Sequence, residues 1–105
     1  MLRLSERFGL PRPTPNLEVN VGGTRRYLDA AWDAARVTLE FDGYVPHMES
    51  RITFEDDRIR QNDLIDSGWL VFRLTSRMLT NNPSKHFGVV ARAVSQRIGT
   101  HADAV

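Results

Sequence analysis

The chain of 105 residues contains no cysteine, and this absence excludes disulfides and any metal site built from thiolates. No apolar run comes near the ~20 residues that a membrane-spanning helix needs. Residues 1–7 also lack the long apolar stretch of a secretory signal. Together these absences predict a cytoplasmic protein that does not enter a membrane.

Lysine is almost absent, because Lys85 is the one lysine among the 14 basic residues. The formal net charge is +1 at pH 7, so the overall charge makes no case for a nucleic-acid partner. Arginine carries a planar fork of donors that suits phosphate, but GC-rich codon usage explains the same bias. The length predicts one domain with one core.

Prolines and glycines divide the first half of the chain. The prolines within residues 11–15 predict an extended lead-in over 1–16, with a helical turn or two in Leu2–Phe8 that Gly9 ends. Alternating apolar residues then predict strands, joined by a tight turn at Gly22-Gly23 and a second turn at 33–36. The predicted strands are residues 17–21, 25–32 and 37–42.

The second half alternates helix and strand. Thr53 is predicted to cap a helix that runs to Asp66 and ends at Gly68. Residues 69–74 are rich in bulky apolar side chains and predict a central strand. Asn82-Pro83 then starts a helix that Gly99 is expected to end, and its apolar stripe repeats at helical spacing over Phe87, Val90, Ala91, Val94 and Ile98.

The order of these elements is β-β-β-α-β-α. A β-meander of three antiparallel strands is followed by a helical crossover into a fourth strand, which makes the sheet mixed. The fold class predicted is therefore α/β, with a mixed four-stranded sheet flanked by helices.

Two acids are expected to face each other on neighbouring strands. A four-residue turn at 33–36 places Trp32 opposite Val37, and therefore Asp29 opposite Glu40. Like charges across a strand pair destabilise it, unless a cation such as Mg²⁺, which takes oxygen ligands, lies between them. A solvent-facing edge hairpin explains the same acids, and a three-residue turn would shift the pairing by one, so the interpretation stays open at this point.

Five stretches follow one another along most of the chain: Leu10-Pro11-Arg12-Pro13, Tyr27-Leu28-Asp29-Ala30-Ala31-Trp32, Leu39-Glu40-Phe41-Asp42-Gly43 with His47 behind it, Asp57-Arg58 with Arg60-Gln61-Asn62, and Gly68-Trp69-Leu70-Val71-Phe72-Arg73-Leu74-Thr75. In order and spacing they resemble the PD-(D/E)XK nuclease superfamily. The closer resemblance is to its small bacterial domains related to very-short-patch-repair endonucleases.

This resemblance implies a restriction-endonuclease-like core at 17–99. Residues 100–105, which follow Gly99, are expected to form a flexible tail. The resemblance also implies metal-dependent phosphodiester hydrolysis, with DNA as the partner. Asp29, Glu40 and Asp42 would be the ligands of Mg²⁺ or Mn²⁺, and the first two would count as catalytic.

Two further catalytic roles follow from the same resemblance. His47 would move a proton, since the unperturbed pKa of histidine lies near neutrality. Arg58, or Arg60 on the same helix, would stabilise charge on the phosphate, and Arg58 is the one we predict.

The chain departs from the superfamily motif at one position. The motif places a lysine two residues after the glutamate, and Asp42 stands there instead. An alternative function is therefore a catalytically inactive nuclease-fold module that binds nucleic acid or a protein partner. A fragment of a larger protein, lacking the part that recognises DNA, is a third interpretation. The oligomeric state is left open, with a homodimer as one arrangement.

Overall fold

A four-stranded sheet with helices on both faces forms the fold, as predicted. The computed structural model describes residues 2–42 and 51–103. Their elements are, in chain order, α1 Leu2–Arg7, β1 Thr14–Val21, β2 Thr24–Trp32, β3 Val37–Phe41, α2 Arg51–Asp66, β4 Leu70–Leu74, α3 Ser76–Asn81 and α4 Pro83–Asp103. The strand β1 begins three residues earlier than expected, and α3 was not predicted.

The strands lie in the order β1-β2-β3-β4. β1, β2 and β3 form the predicted antiparallel meander, and β4 pairs in parallel with β3 after the crossover through α2. The prediction that residues 69–74 form a central strand was wrong, because β4 pairs with β3 alone among the described strands. Its apolar side chains pack against the helices instead, and Leu70 remains 37% exposed.

Two apolar clusters cover the two faces of the sheet. On one face, α4 packs Phe87, Val90 and Val94 against Val37 and Leu39 of β3. On the other face, Leu64 of α2 packs with the following buried residues: Val21, Leu28, Ala31 and Trp69. β3 and the C-terminal half of β2 are thus largely buried between α4 and α2, whereas β1 stays mostly exposed. α2 faces the side of β3 that carries the polar side chains.

The helix ends agree with the sequence in part. The N–H of Lys85 donates to Asn82 Oδ1 over 3.2 Å, which confirms the predicted cap of α4. Gly68 ends α2 at a φ of 95°, where few other residues are comfortable. Thr53 does not cap α2, which begins at Arg51. Gly99 does not end α4, because that helix continues to Asp103.

None of these helices satisfies the requirements for crossing a bilayer. Within residues 2–42 and 51–103, no helix combines the necessary length with the necessary apolar character. α4 is the longest of them at 21 residues, but it carries charged side chains along its exposed face.

Candidate functional site

The pairing of β2 with β3 has the predicted register. Trp32 pairs with Val37, and the ladder continues through Ala31 and Thr38 to Ala30 and Leu39. The turn at 33–36 that imposes this register closes through Arg36, whose φ is 55°. In the same register the next two residues to meet are the acids at positions 29 and 40.

At this point of the pairing, hydrogen bonds from the side chains of Asp29 and Glu40 replace the hydrogen bonds between the two backbones. Glu40 Oε2 accepts the N–H of Asp29 over 2.8 Å, and Asp29 Oδ2 accepts the N–H of Phe41 over 2.9 Å. Each carboxylate therefore binds the backbone of the other strand. This reciprocal clamp holds the two carboxylates at the place where the strands stop pairing through their backbones.

The alternation of side chains between the two faces of the sheet is interrupted in β2 at Asp29. Leu28 packs in the cluster under α2, whereas Ala30 packs in the cluster under α4. In a regular strand, residues two apart lie on the same face, so the alternation breaks between them. On β1, the residue between the partners of Leu28 and Ala30 is Asn16, which has a φ of 52°.

Glu40 is a buried acid, with 3% of its surface exposed. Its neighbour Leu39 packs under α4, so Glu40 points to the α2 side of the sheet. There Arg60 forms an ion pair with Glu40 Oε1 and also donates to the carbonyl of Tyr27 over 2.8 Å. A buried carboxylate needs such a partner, because an uncompensated buried charge is strongly destabilising.

Thr38 completes the surroundings of Glu40. Its Oγ1 is buried and lies 3.3 Å from Glu40 Oε2. Oε2 thus has two protein partners, the Asp29 amide and this hydroxyl, whereas Oε1 is bound by Arg60.

Arg58 is not part of this group of residues. It is exposed on α2, and its guanidinium lies 4.5 Å from the ring centroid of Phe54. Residues two apart on a helix point about 200° away from each other, so Arg58 and Arg60 cannot both face the sheet. The arginine that the structure brings to Glu40 is Arg60.

A second ion-pair group, centred on Arg73, lies beside the first. Arg73 is the register partner of Glu40 in β4. Its guanidinium donates to Asp42 Oδ1 over 2.8 Å, to Asp57 Oδ1 over 3.0 Å and to Gln61 Oε1 over 2.9 Å. It therefore ties the end of β3 to α2.

The neighbours of Arg73 favour the charged form of its side chain. Burial alone would lower its pKa, but the hydrogen bonds and charges of Asp42 and Asp57 outweigh that effect and raise the pKa above its ordinary value. Arg73 was not among the predicted site residues. The signal was present, because Arg73 is the one charged residue within an otherwise apolar strand, Leu70–Leu74.

The predicted metal ligands are only partly brought together. Among the described residues, no group of three or more acidic or histidine side chains could hold one metal ion, and Asp42 binds Arg73 instead. Asp29 and Glu40 both offer carboxylate oxygens, the ligand type that hard cations prefer, and hydrogen bonds to backbone amides fix both side chains. His47 lies outside the described residues.

A meander carries Asp29 and Glu40, and a crossover helix brings Arg60 to them. Comparison of the chain with protein families, with curated proteins and with solved structures found no match.

Proposed function

We propose that the chain is a metal-dependent phosphodiesterase domain, endonuclease-like and acting on DNA, built on a restriction-endonuclease-like core. The observation that carries this proposal is the reciprocal clamp between Asp29 and Glu40. Each carboxylate is fixed by the backbone of the neighbouring strand, and such fixed polar groups are what a binding or catalytic centre requires.

Each residue of the site would have its own role in the reaction. Asp29 and Glu40 would hold the cation, and Arg60 would donate to a negatively charged phosphate oxygen. When bound, Mg²⁺ or Mn²⁺ would supply a Lewis acid that polarises a phosphate oxygen and lowers the pKa of its water. His47 remains our candidate for moving a proton, on the strength of the resemblance alone. Arg60, not Arg58, takes the role at the phosphate, because Arg60 is the arginine that lies beside Glu40.

Cleavage assays test this function directly. Purified protein is incubated with duplex and single-stranded DNA in the presence of Mg²⁺ or Mn²⁺. We expect cleavage that Glu40→Gln or Asp29→Asn lowers by more than about 100-fold, because each removes a ligand charge. Asp33→Asn is the matched control, since Asp33 is an exposed acid in the turn at 33–36, and it should cleave like the wild type.

Two results would contradict the proposal. One is that no DNA is cleaved with either metal. The other is cleavage that survives both substitutions, which would point to a contaminating nuclease or to a different site.

A non-catalytic module is the second candidate function. It is favoured by the ion pair between Arg60 and Glu40, which neutralises the buried acid without any metal. The one lysine, Lys85, is on α4, which packs on the opposite face of the sheet. A binding module predicts salt-dependent DNA binding that does not require Mg²⁺ and therefore persists in EDTA, and a gel-shift titration in EDTA and in Mg²⁺ separates it from the enzyme.

A further inference from the structure

We propose that Arg60 is an internal counter-ion that competes with the divalent metal for Glu40, so that metal entry releases the guanidinium toward an anionic substrate. The proposal rests on the proposed function, because it assumes that Asp29 and Glu40 hold a metal. It adds an order of events, in which the metal binds before the phosphodiester does.

The distribution of hydrogen bonds around Glu40 supports the competition. Oε2 accepts from the amide of Asp29 and lies within hydrogen-bond distance of the Thr38 hydroxyl. Oε1 is the oxygen that remains for a cation, and Arg60 Nη2 binds it. The metal and Arg60 therefore need the same oxygen atom.

Asp29 offers the second oxygen of the site. Its Oδ2 accepts the amide of Phe41, and its Oδ1 has no hydrogen-bond partner within the part of the chain that the structure describes. The side chain is exposed, so a cation can approach it from solvent. Glu40 is buried, and among the described residues Arg60 is the cation that is paired with its Oε1.

The charges around Glu40 explain why the metal would bind before the phosphodiester. Among the described residues, Glu40, Asp42 and Asp57 pair with the two guanidiniums of Arg60 and Arg73, and Asp29 adds a fourth carboxylate beside them. Their net charge is negative, and it opposes the approach of a phosphodiester. One divalent ion neutralises this excess, and at the same time it frees a guanidinium for the phosphate.

Arg60 stays close to the site after it leaves Glu40. It lies in the middle of α2, which Arg73 ties to β4 through Asp57 and Gln61. The carbonyl of Tyr27 is a second acceptor for the same Nη2 atom. The movement required is a change of side-chain rotamer, and the helix keeps its place.

Calorimetric titration with Mn²⁺ measures the competition without any substrate. Arg60→Gln removes the competing charge, and we expect it to bind Mn²⁺ about tenfold more tightly than the wild type, a change of about 1.4 kcal/mol. Arg58→Gln is the matched control on the same helix, and its Mn²⁺ affinity should equal that of the wild type. Equal or weaker binding by folded Arg60→Gln would overturn the inference.

A measurement on the wild type covers the case in which Arg60→Gln fails to fold. During a Mg²⁺ titration followed by NMR, the Nε–Hε signal of Arg60 should move with the same affinity that calorimetry gives, while that of Arg58 stays in place. An Arg60 signal that does not respond to bound Mg²⁺ overturns the inference.

The same titrations distinguish a failure of the Arg60 competition from a failure of the proposed metal site. Wild-type Mn²⁺ binding that Asp29→Asn and Glu40→Gln abolish supports the metal site, whatever Arg60 does. Binding that is absent in the wild type and in Arg60→Gln alike contradicts the metal site, and the inference falls with it.

Discussion

Arg73 is the residue on which three elements of the site meet. It reaches from β4 to Asp42 at the end of β3 and to Asp57 and Gln61 on α2. Its side chain is 23% exposed, so solvent screens its ion pairs only in part. The residue holds α2, and with it Arg60, in position beside Glu40.

We expect Arg73→Met to lower the free energy of unfolding by about 1–2 kcal/mol, because it leaves two carboxylates without their partner. Arg77→Met is the matched control, since Arg77 is an exposed arginine on α3, and it should change stability by less than about 0.5 kcal/mol. Urea denaturation of the three proteins measures both effects. Equal stability of Arg73→Met and wild type would show that Arg73 does not hold these elements together.

The raised pKa of Arg73 also predicts how this contribution depends on pH. A group whose pKa is raised on folding contributes stability that is fully present below its unfolded pKa and is lost only as the pH rises through its folded pKa. For an arginine both values lie above the working range. The stabilisation by the charged guanidinium should therefore be constant from about pH 6 to about pH 10. The difference in the free energy of unfolding between wild type and Arg73→Met should show no decline over that range.

At the scale of the elements, the break in the alternation of β1 and β2 sets the position of the acids. Asn16 has a φ of 52°, in the left-handed region that asparagine tolerates better than most residues. The change of face of β2 lies between Leu28 and Ala30. Asp29 is thereby released from regular pairing, and its amide and carboxylate turn to β3.

Asn16→Val tests the importance of this break. A β-branched residue in the left-handed region costs roughly 1–2 kcal/mol, so the free energy of unfolding should fall by about that amount. Asn20→Val is the control, because Asn20 is exposed in the same strand and pairs with Arg25, and valine is favoured in strands. Chemical denaturation compares the two variants. Equal stability would show that the Asn16 backbone is not constrained as the structure has it.

At the scale of the whole molecule, the sequence predicted what depends on local pattern. The turn at 33–36 determined the register of Trp32 with Val37, and Asn82 capped α4 as its type suggested. Such features depend on residues close together in the chain. The succession of the four strands along the chain, and the mixed character of their sheet, followed from the same kind of pattern.

Contacts between distant segments could not be predicted in this way. Nothing local distinguishes Arg60 from Arg58, because the choice depends on which side of α2 meets the sheet. The edge position of β4 could not be predicted for a similar reason, since a strand rich in apolar residues reads the same in sequence whether another strand or a helix covers it. Gly99 lies within α4 because a helix tolerates one glycine at a cost of about 1 kcal/mol relative to alanine, which the packing of the rest of α4 offsets.

We propose, then, that Asp29 and Glu40 share one divalent cation that displaces Arg60. Crystals grown with Mn²⁺ test it most directly, through the anomalous scattering of the ion. We predict an anomalous peak between the two carboxylates, with the guanidinium of Arg60 no longer bound to Glu40. Crystals saturated with Mn²⁺ that show no peak there, and that still show Arg60 on Glu40, would contradict the claim.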